Sequence, residues 1–193
     1  MNELNLVKAK SQSAEVICKN VDLEKDSLPL LKPGETLSGF IQSLLKVHAL
    51  KDVIGVIAQT LPPREAVYWA SLCVRDVLDE KANPDDANAI RAAEQWMVNP
   101  NEDDRYLNLQ MAEKLEYATA ASWVANGVFW SGGSITPRGQ AKVEAPEGIF
   151  GKAITGAVLL ASANEDEKQT QNLQQRFIKR GINITQGGKG DNV

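Results

Sequence analysis

Histidine and cysteine, which serve enzymes as metal ligands, bases and nucleophiles, are scarce in this 193-residue chain. The only histidine is His48, and the two cysteines, Cys18 and Cys73, do not form a Cys-x-x-Cys pair. A zinc site needs several such ligands held together. A serine triad needs a histidine and, in many hydrolases, a Gly-x-Ser-x-Gly nucleophile elbow, and the sequence lacks such an elbow. We therefore predict no metal site, no cofactor and no catalytic residue of these classes.

The segment GIFGKA, residues 148–153, has a glycine and a later glycine-lysine pair, as phosphate-binding loops do. Its spacing does not match the P-loop pattern, and Ala153 stands where the magnesium-binding hydroxyl should be. No strand precedes it. We therefore do not expect this segment to bind a nucleotide.

Arg64 and Glu65 are the strongest candidates for acid–base chemistry, because Tyr68 and Trp69 follow them one helical turn later. A carboxyl group beside a buried tryptophan can have a raised pKa and act as an acid. The alternative is that Glu65 is a charge at a helix start, favoured by the helix dipole and paired with a nearby arginine. Arginine, tyrosine and tryptophan also anchor protein interfaces, so the four residues are equally predicted to contact a partner protein.

The stretch FWSGGSITP, in which Trp130 is the second residue, raises the question of a ligand-binding loop. Glycine loops bind anions where they lead into the N-terminus of a helix, but this loop follows a helix, whose end is partially negative. Gly132 and Gly133 are therefore predicted to end that helix in a left-handed or other glycine-only conformation. Capping explains one glycine only. Two alternatives remain for the role of this segment, because capping does not require the second glycine, Ser131 or Ser134. The segment is either a structural corner or a partner-contact site that Trp130 anchors.

Composition restricts the classes of partner. A net charge of −4 at pH 7 argues against nucleic acid or anionic membrane as a binding partner, since both need concentrated positive charge. The N-terminal residues contain no export signal, and the longest apolar segment is too short to span a bilayer, so we expect a cytoplasmic protein without membrane insertion. The two cysteines are predicted to be buried thiols rather than a disulfide.

Apolar residues recur at three- and four-residue spacing along most of the chain, which predicts an all-α fold. We predict a single compact domain of about eight helices, with two apolar helices at its centre. The central helices are expected over 62–79 and 149–163, and further helices over 13–21, 23–31, 52–61, 120–130 and 165–180. Three more are expected: one that Thr36 caps and that contains the apolar residues of 37–45, one that starts after Pro84 and runs to about Val98, and one that starts at Glu102. Thr119 is predicted to cap the helix over 120–130. Residues 1–12 are predicted to be a flexible N-terminus, 13–181 the helical domain, and 182–193 a disordered tail.

The second central helix carries alanines four residues apart, at positions 153, 157 and 161. Such a face of small side chains lets another helix approach closely. A homo-oligomer that self-associates through this helix is therefore a further possibility, and the chain would then be a structural scaffold.

Three segments in this order, LPPREAVYWASLCVR (61–75), FWSGGSITP (129–137) and KAITGAVLLASA (152–163), resemble an uncharacterised bacterial domain family of unknown function. The likeness covers about residues 37–181. The family motifs are LPxREAVxWAxLC, FWSGGS and AVxLAxA. Relatives tend to have a second cysteine where this chain has Ser71, so a role of that thiol would be absent here.

The resemblance implies no activity and no catalytic residues. Its members often occur in gene neighbourhoods that look like those of type VI secretion, which implies an accessory or adaptor protein whose partner is a secretion-apparatus component or an effector. The expectation is therefore a non-enzymatic protein-binding module, with a helix-lined groove beside Trp69 and Trp130. The alternatives are an enzyme with an acid–base site around Arg64 and Glu65, and the self-associating scaffold.

Overall fold

The structure, a computed structural model, describes residues 3–81 and 83–190, and its secondary structure there is helical. One 3₁₀ helix, Leu28–Leu30, lies between the first two α-helices. The nine α-helices of the described residues are α1 Ala14–Cys18, α2 Leu37–Lys46, α3 Leu50–Thr60, α4 Pro63–Arg75, α5 Pro84–Val98, α6 Glu102–Lys114, α7 Ala120–Trp130, α8 Ile149–Ser162 and α9 Glu167–Thr185. The predicted all-α single domain is thus confirmed.

Short polar side chains set the beginnings of several helices. The hydroxyl of Thr36 accepts from the Gly39 amide at 3.1 Å at the start of α2, as predicted. At the start of α7, the side chains and amides of Thr119 and Ser122 form a reciprocal capping box. Each such cap satisfies amides that have no partner within the helix and stabilises it by about 1 kcal/mol.

The centre of the domain is formed by α3, α4, α7 and α8, with α9 packed against α3 and α4. The two helices predicted to be central, α4 and α8, belong to this group and have buried apolar faces. Helices α3 and α7 are buried as well, so the centre contains more than the two predicted helices. The alanine face of α8, including Ala153 and Ala157, is fully buried within the domain. That face is consequently not available for the self-association that the sequence suggested.

Two glycines let helices approach closely. A Cβ at Gly127 of α7 would lie 2.9 Å from Cδ1 of Ile154 on α8, and one at Gly181 of α9 would lie 2.9 Å from the indole of Trp69 on α4. Both distances are shorter than carbon atoms tolerate. The absence of a side chain at these two positions therefore fixes how near α7 and α9 come to the central helices.

The predicted helix over 23–31 is wrong. Pro29 lies in its middle and removes a backbone donor, and only the short 3₁₀ turn forms. The segment is held instead by the amide of Glu24, which donates to Oδ1 of Asp52 at 3.2 Å.

The structure also corrects both predicted boundaries of the domain. Leu6 is buried in the core, and the amide of Lys8 donates to the carbonyl of Thr185 at 2.9 Å, so the described part of 1–12 is packed. Helix α9 continues four residues beyond Gly181 and buries Ile184, because the apolar spacing of the helix continues past the predicted end. Residues 1–2 and 191–193 of the predicted terminal segments lie outside the described residues.

Within the described residues, no helix combines the length and the apolar character that crossing a bilayer would require.

Candidate functional site

Arg64, Glu65 and Tyr68 line one groove, which has a volume of about 550 Å³. It lies where the first turns of α4 meet the end of α5. Proline at the first helical position and Glu65 in the first turn start α4 there, as the helix dipole favours. The remaining lining residues are Lys8, Ser71, Leu72, Glu94, Met97 and Val98. The sequence thus predicted three residues of this site, and folding adds the end of α5 to them.

Glu65 forms an ion pair with Lys8 at 3.6 Å, between Oε1 and Nζ. Its partner is thus a lysine of the N-terminal segment rather than an arginine, which corrects the alternative in which Glu65 pairs with arginine. Both side chains are partly exposed to solvent. A partly exposed, charge-paired carboxylate is a typical surface ion pair, so the geometry gives Glu65 no feature that an acid catalyst needs.

Arg64 is held by its Nε, which donates to the backbone carbonyl of Met97 at 2.9 Å. That carbonyl is in the last turn of α5, where the helix has no further amide to offer it. Arg64 therefore fastens α4 to α5. Its guanidinium is exposed and has no acidic partner among the described residues.

Ser71 lies in the lining of the groove and is only 1% exposed. Its hydroxyl has no hydrogen-bond partner within residues 3–81 and 83–190. A buried hydroxyl without a partner costs free energy, so such groups are uncommon in folded proteins.

Trp69 does not belong to the groove. It is fully buried, and its Nε1 donates to the carbonyl of Phe177 on α9 at 2.8 Å. The prediction that Trp69 contacts a partner is therefore wrong. Successive residues of a helix point in different directions, and Trp69 points into the core whereas Tyr68 lines the groove. Tyr68 stays at the surface, where its hydroxyl donates to the carbonyl of Lys189 at 3.0 Å.

The FWSGGS corner lies apart from the groove, since none of its residues is among those that line it. Arg105 of α6 holds the corner from beneath, with Nη1 donating to the Phe129 carbonyl at 2.6 Å and Nη2 to the Ser134 carbonyl at 2.7 Å. Glu102 accepts two further hydrogen bonds from the same guanidinium, both at 2.8 Å, and these lower its pKa. The end of α7 and the loop after it are thus fixed by one buried arginine.

The two glycines of the corner differ. Gly133 has a φ of 70°, in the left-handed region, as predicted, and a Cβ there would lie 2.9 Å from the Arg105 guanidinium. Gly132 is not left-handed and has open space around it. Ser131 satisfies the helix end itself, because its hydroxyl donates to the Val128 carbonyl at 2.8 Å.

Trp130, the remaining residue predicted at the corner, is half-buried. Its ring meets the ring of Trp123, seven residues earlier on the same helix, edge to face with centroids 6.4 Å apart. The structure therefore does not bring Trp130 together with Trp69 in one groove. The Ser134 hydroxyl is used within the loop, 2.7 Å from the Thr136 hydroxyl. These contacts favour the structural alternative for the corner.

Both cysteines are free and buried, as predicted. Burial, with a contribution from the charge of Asp52, raises the pKa of Cys18 to about 12. Burial also raises the pKa of Cys73. Thiols in this state do not ionise at neutral pH and are poor nucleophiles.

Three features of the site were not predicted from the sequence: Arg105, the unpartnered hydroxyl of Ser71, and the end of α5 with the partly buried Met97 and the exposed Val98. Arg105 stands in the acidic segment NEDDRY, where it looks like one charge of a solvated helix face. Only the contacts with carbonyls 24 and 29 residues away show its role. Val98 is 81% exposed, and the Asn99-Pro100 that follows it in the sequence indicates a helix end there.

Comparison with known proteins places the chain in a family. The model of a family of unknown function, DUF6931, matches residues 40–185, and the chain belongs to this family. The match confirms the resemblance that the three sequence segments indicated. No curated protein and no solved structure matches the chain.

Proposed function

We propose that this member of the family is a non-enzymatic adaptor that binds another protein in the groove between α4 and α5. The observation that carries the proposal is that one groove contains both Arg64, which has no acidic partner among the described residues, and the strongly exposed Val98. Single exposed apolar residues are common on protein surfaces, and it is the combination with Arg64 that indicates a binding surface.

The charges of the groove indicate the chemistry of the partner. Lys8 neutralises Glu65, and Arg75 forms a bidentate pair with Glu94, with hydrogen bonds of 2.5 and 2.6 Å. Arg64 is left as the uncompensated charge of the groove. A partner is therefore expected to present a carboxylate, which a guanidinium binds with two parallel hydrogen bonds.

The apolar part of the groove indicates a second element of the partner. Leu72 and Met97 are partly buried and contact the core, while Val98 extends into solvent beside them. An apolar side chain adjacent to the carboxylate would cover this surface, and Tyr68 offers the aromatic contact that interface centres favour. The proposed ligand is accordingly a protein segment with an acidic residue next to an apolar one.

We further propose that the partner is a component or an effector of a bacterial type VI secretion apparatus and that the interaction takes place in the cytoplasm. Support for this part comes from the motif resemblance and from the gene neighbourhoods that it implies. The groove chemistry and the secretion link are separate claims, and one experiment can test both.

The test is affinity purification of the tagged protein, expressed at native level in the bacterium that encodes it, followed by mass spectrometry. Wild-type protein is compared with Arg64→Glu, which reverses the groove charge, and with Val98→Asp, which places a charge on its apolar rim. Lys179→Glu and Val143→Asp are matched controls, because they make the same changes at exposed positions outside the groove.

We expect a secretion component to be recovered with the wild type and with both controls, and to be reduced at least about tenfold with the two groove variants, a loss of about 1.4 kcal/mol. Equal recovery with the groove variants would contradict the groove. Recovery of no secretion component by the wild type would contradict the secretion link.

A further inference from the structure

A second cavity, between α3, α8 and the segment that follows α1, shares no lining residue with the groove. Its volume is about 320 Å³, at the lower end of the range of about 300–1,000 Å³ for small-molecule pockets. The cavity is thus of a size for a small ligand or for one side chain.

Asp52, in the first turn of α3, lines this cavity and is only 3% exposed. Its Oδ1 accepts from the Glu24 amide at 3.2 Å, whereas its Oδ2 has no hydrogen-bond partner in the part of the chain that the structure describes. Taking a carboxylate out of water is costly unless a cation or several donors compensate it. One oxygen of this buried carboxylate therefore lacks the partner that such groups normally have.

The other charges around the cavity are already paired. Nζ of Lys152 lies 2.8 Å from Asp22, and Nζ of Lys51 lies 3.9 Å from Glu24. Three carboxylates and two ammonium groups line the cavity, which leaves one negative charge. Since the two pairs account for the other four groups, the uncompensated charge is that of Asp52, and the cavity favours a cation.

The walls indicate which kind of cation. No group of three His, Cys, Asp or Glu side chains in residues 3–81 and 83–190 could hold a metal ion. The side chains of Val21 and Leu159 give the cavity apolar lining. An apolar wall next to one carboxylate matches an alkyl chain that ends in an ammonium group, because the ammonium provides three donors and the chain prefers an apolar surface.

We propose that this cavity binds a primary alkylammonium group, with the Asp52 carboxylate as the acceptor of its N–H groups and with Val21 and Leu159 against its alkyl chain. The group can belong to a small amine or to a lysine side chain of another protein, since both present the same chemistry.

Entry to the cavity depends on its rim. Oδ2 of Asp52 is out of contact with solvent, so a ligand has to displace side chains to reach it. The rim pair of Lys51 and Glu24 is long, and both side chains are mostly exposed. Exposed pairs of this kind contribute little to stability and separate easily.

The experiment is isothermal titration calorimetry of the full chain with n-butylammonium chloride at constant ionic strength. We expect saturable binding, no binding of the neutral isostere n-butanol, and binding weaker by about tenfold or more in Asp52→Asn. Asp104→Asn is the matched control, because the carboxylate of Asp104 is also buried but accepts from Gln95 and Asn101 on its two oxygens. A parallel titration with acetyl-Gly-Lys-Gly-amide distinguishes the sources, since tighter binding of the peptide points to a partner lysine and tighter binding of the free amine to a small molecule.

Absence of saturable butylammonium binding to the wild type would overturn the proposal, as would equal binding to Asp52→Asn. If Asp52→Asn fails to fold, the changes in amide chemical shift that butylammonium causes in the wild type still show whether it binds in this cavity. Butylammonium is expected to shift the amides of Gly55 and Gly156, which line the cavity. Shifts confined to other parts of the chain would contradict the assignment.

Discussion

Nη1 of Arg105, on α6, donates a hydrogen bond of 2.6 Å to the backbone carbonyl of Phe129, in the last turn of α7. The same guanidinium lies 4.8 Å from the centroids of the Phe129 and Tyr106 rings, on both of which it packs. Its side chain is only 3% exposed, although its partner Glu102 is mostly in solvent. This contact explains why the loop after α7 has a defined path without regular secondary structure.

Replacement of Arg105 by leucine is expected to lower the free energy of unfolding by about 2–4 kcal/mol, because it leaves two inward-facing carbonyls without donors. Arg105→Lys keeps the charge and loses the fork that reaches both carbonyls, so we expect an intermediate loss. Urea denaturation measures both. A loss below about 0.5 kcal/mol for Arg105→Leu would contradict the structural role of this arginine.

Acid is expected to loosen the same corner. Hydrogen bonds from Arg105 lower the pKa of Glu102 below its ordinary value of 4.5. The stabilisation is therefore complete at pH values above about 4.5 and is lost as the pH falls through the lower pKa of the folded state. Hydrogen exchange of the Ile135 amide, which donates to the Val143 carbonyl at 2.8 Å, reports on the loop.

In Glu102→Gln, protection of the Ile135 amide should be weaker at neutral pH and should change less between pH 6 and pH 3 than in the wild type. The same pH dependence in both proteins would show that another group controls the loop.

Two glycine-to-alanine substitutions are expected to have opposite effects on stability. In Gly181→Ala the new Cβ would lie 2.8 Å from Cγ2 of Ile57 and 2.9 Å from the Trp69 ring, and overpacking should destabilise the domain by about 1–2 kcal/mol net. In Gly156→Ala the Cβ would lie 3.6 Å from the Trp123 ring, an ordinary contact, so the higher helix propensity of alanine should stabilise by about 0.5–1 kcal/mol. Thermal and urea denaturation measure both effects, and a Gly181→Ala variant as stable as the wild type or more stable would contradict the packing of α9 on Trp69.

At position 48, glycine is expected to give a more stable protein than alanine. His48 follows α2 with a φ of 58°, and the Ala49 amide next to it donates to the Leu44 carbonyl at 3.0 Å, which is the hydrogen bond of a helix C-cap. His48→Gly should therefore be more stable than His48→Ala by about 1 kcal/mol, since both lack the imidazole and only alanine has a Cβ in the left-handed region. Equal stability of the two variants would show that the residue does not hold this conformation in solution.

The helices could be predicted from the sequence wherever apolar spacing and a capping residue agree, as at Thr36 and Thr119. The continuation of α9 past residue 180 could also have been predicted, because Ile184 lies seven residues after Phe177 and continues the apolar face of the helix. The burial of Leu6 could not be predicted from the sequence, since a single leucine in a polar segment shows no periodic pattern. The segment around it is held by a tertiary contact, in which the amide of Lys8 donates to the carbonyl of Thr185.

The groove could be predicted in part. The spacing from Arg64 to Tyr68 places both on one face of a helix. The neighbouring Trp69 suits a core position as well as an interface, so its residue type does not indicate whether it is buried or exposed. The sequence contains no information on which helix end meets Arg64, because the carbonyl of Met97 is a backbone group that every residue has. Pairing of charges across elements, such as Lys8 with Glu65, likewise depends on tertiary contacts.

The most direct test of the proposed adaptor role is site-specific photocrosslinking in the bacterium, with a photoreactive amino acid at Val98 and, as the control, at the exposed Val143. We expect an adduct of defined mass with a secretion component at position 98, its loss when Arg64→Glu is added, and no such adduct at position 143. Absence of an adduct at position 98, or the same adduct at both positions, would contradict the α4–α5 groove as the binding surface.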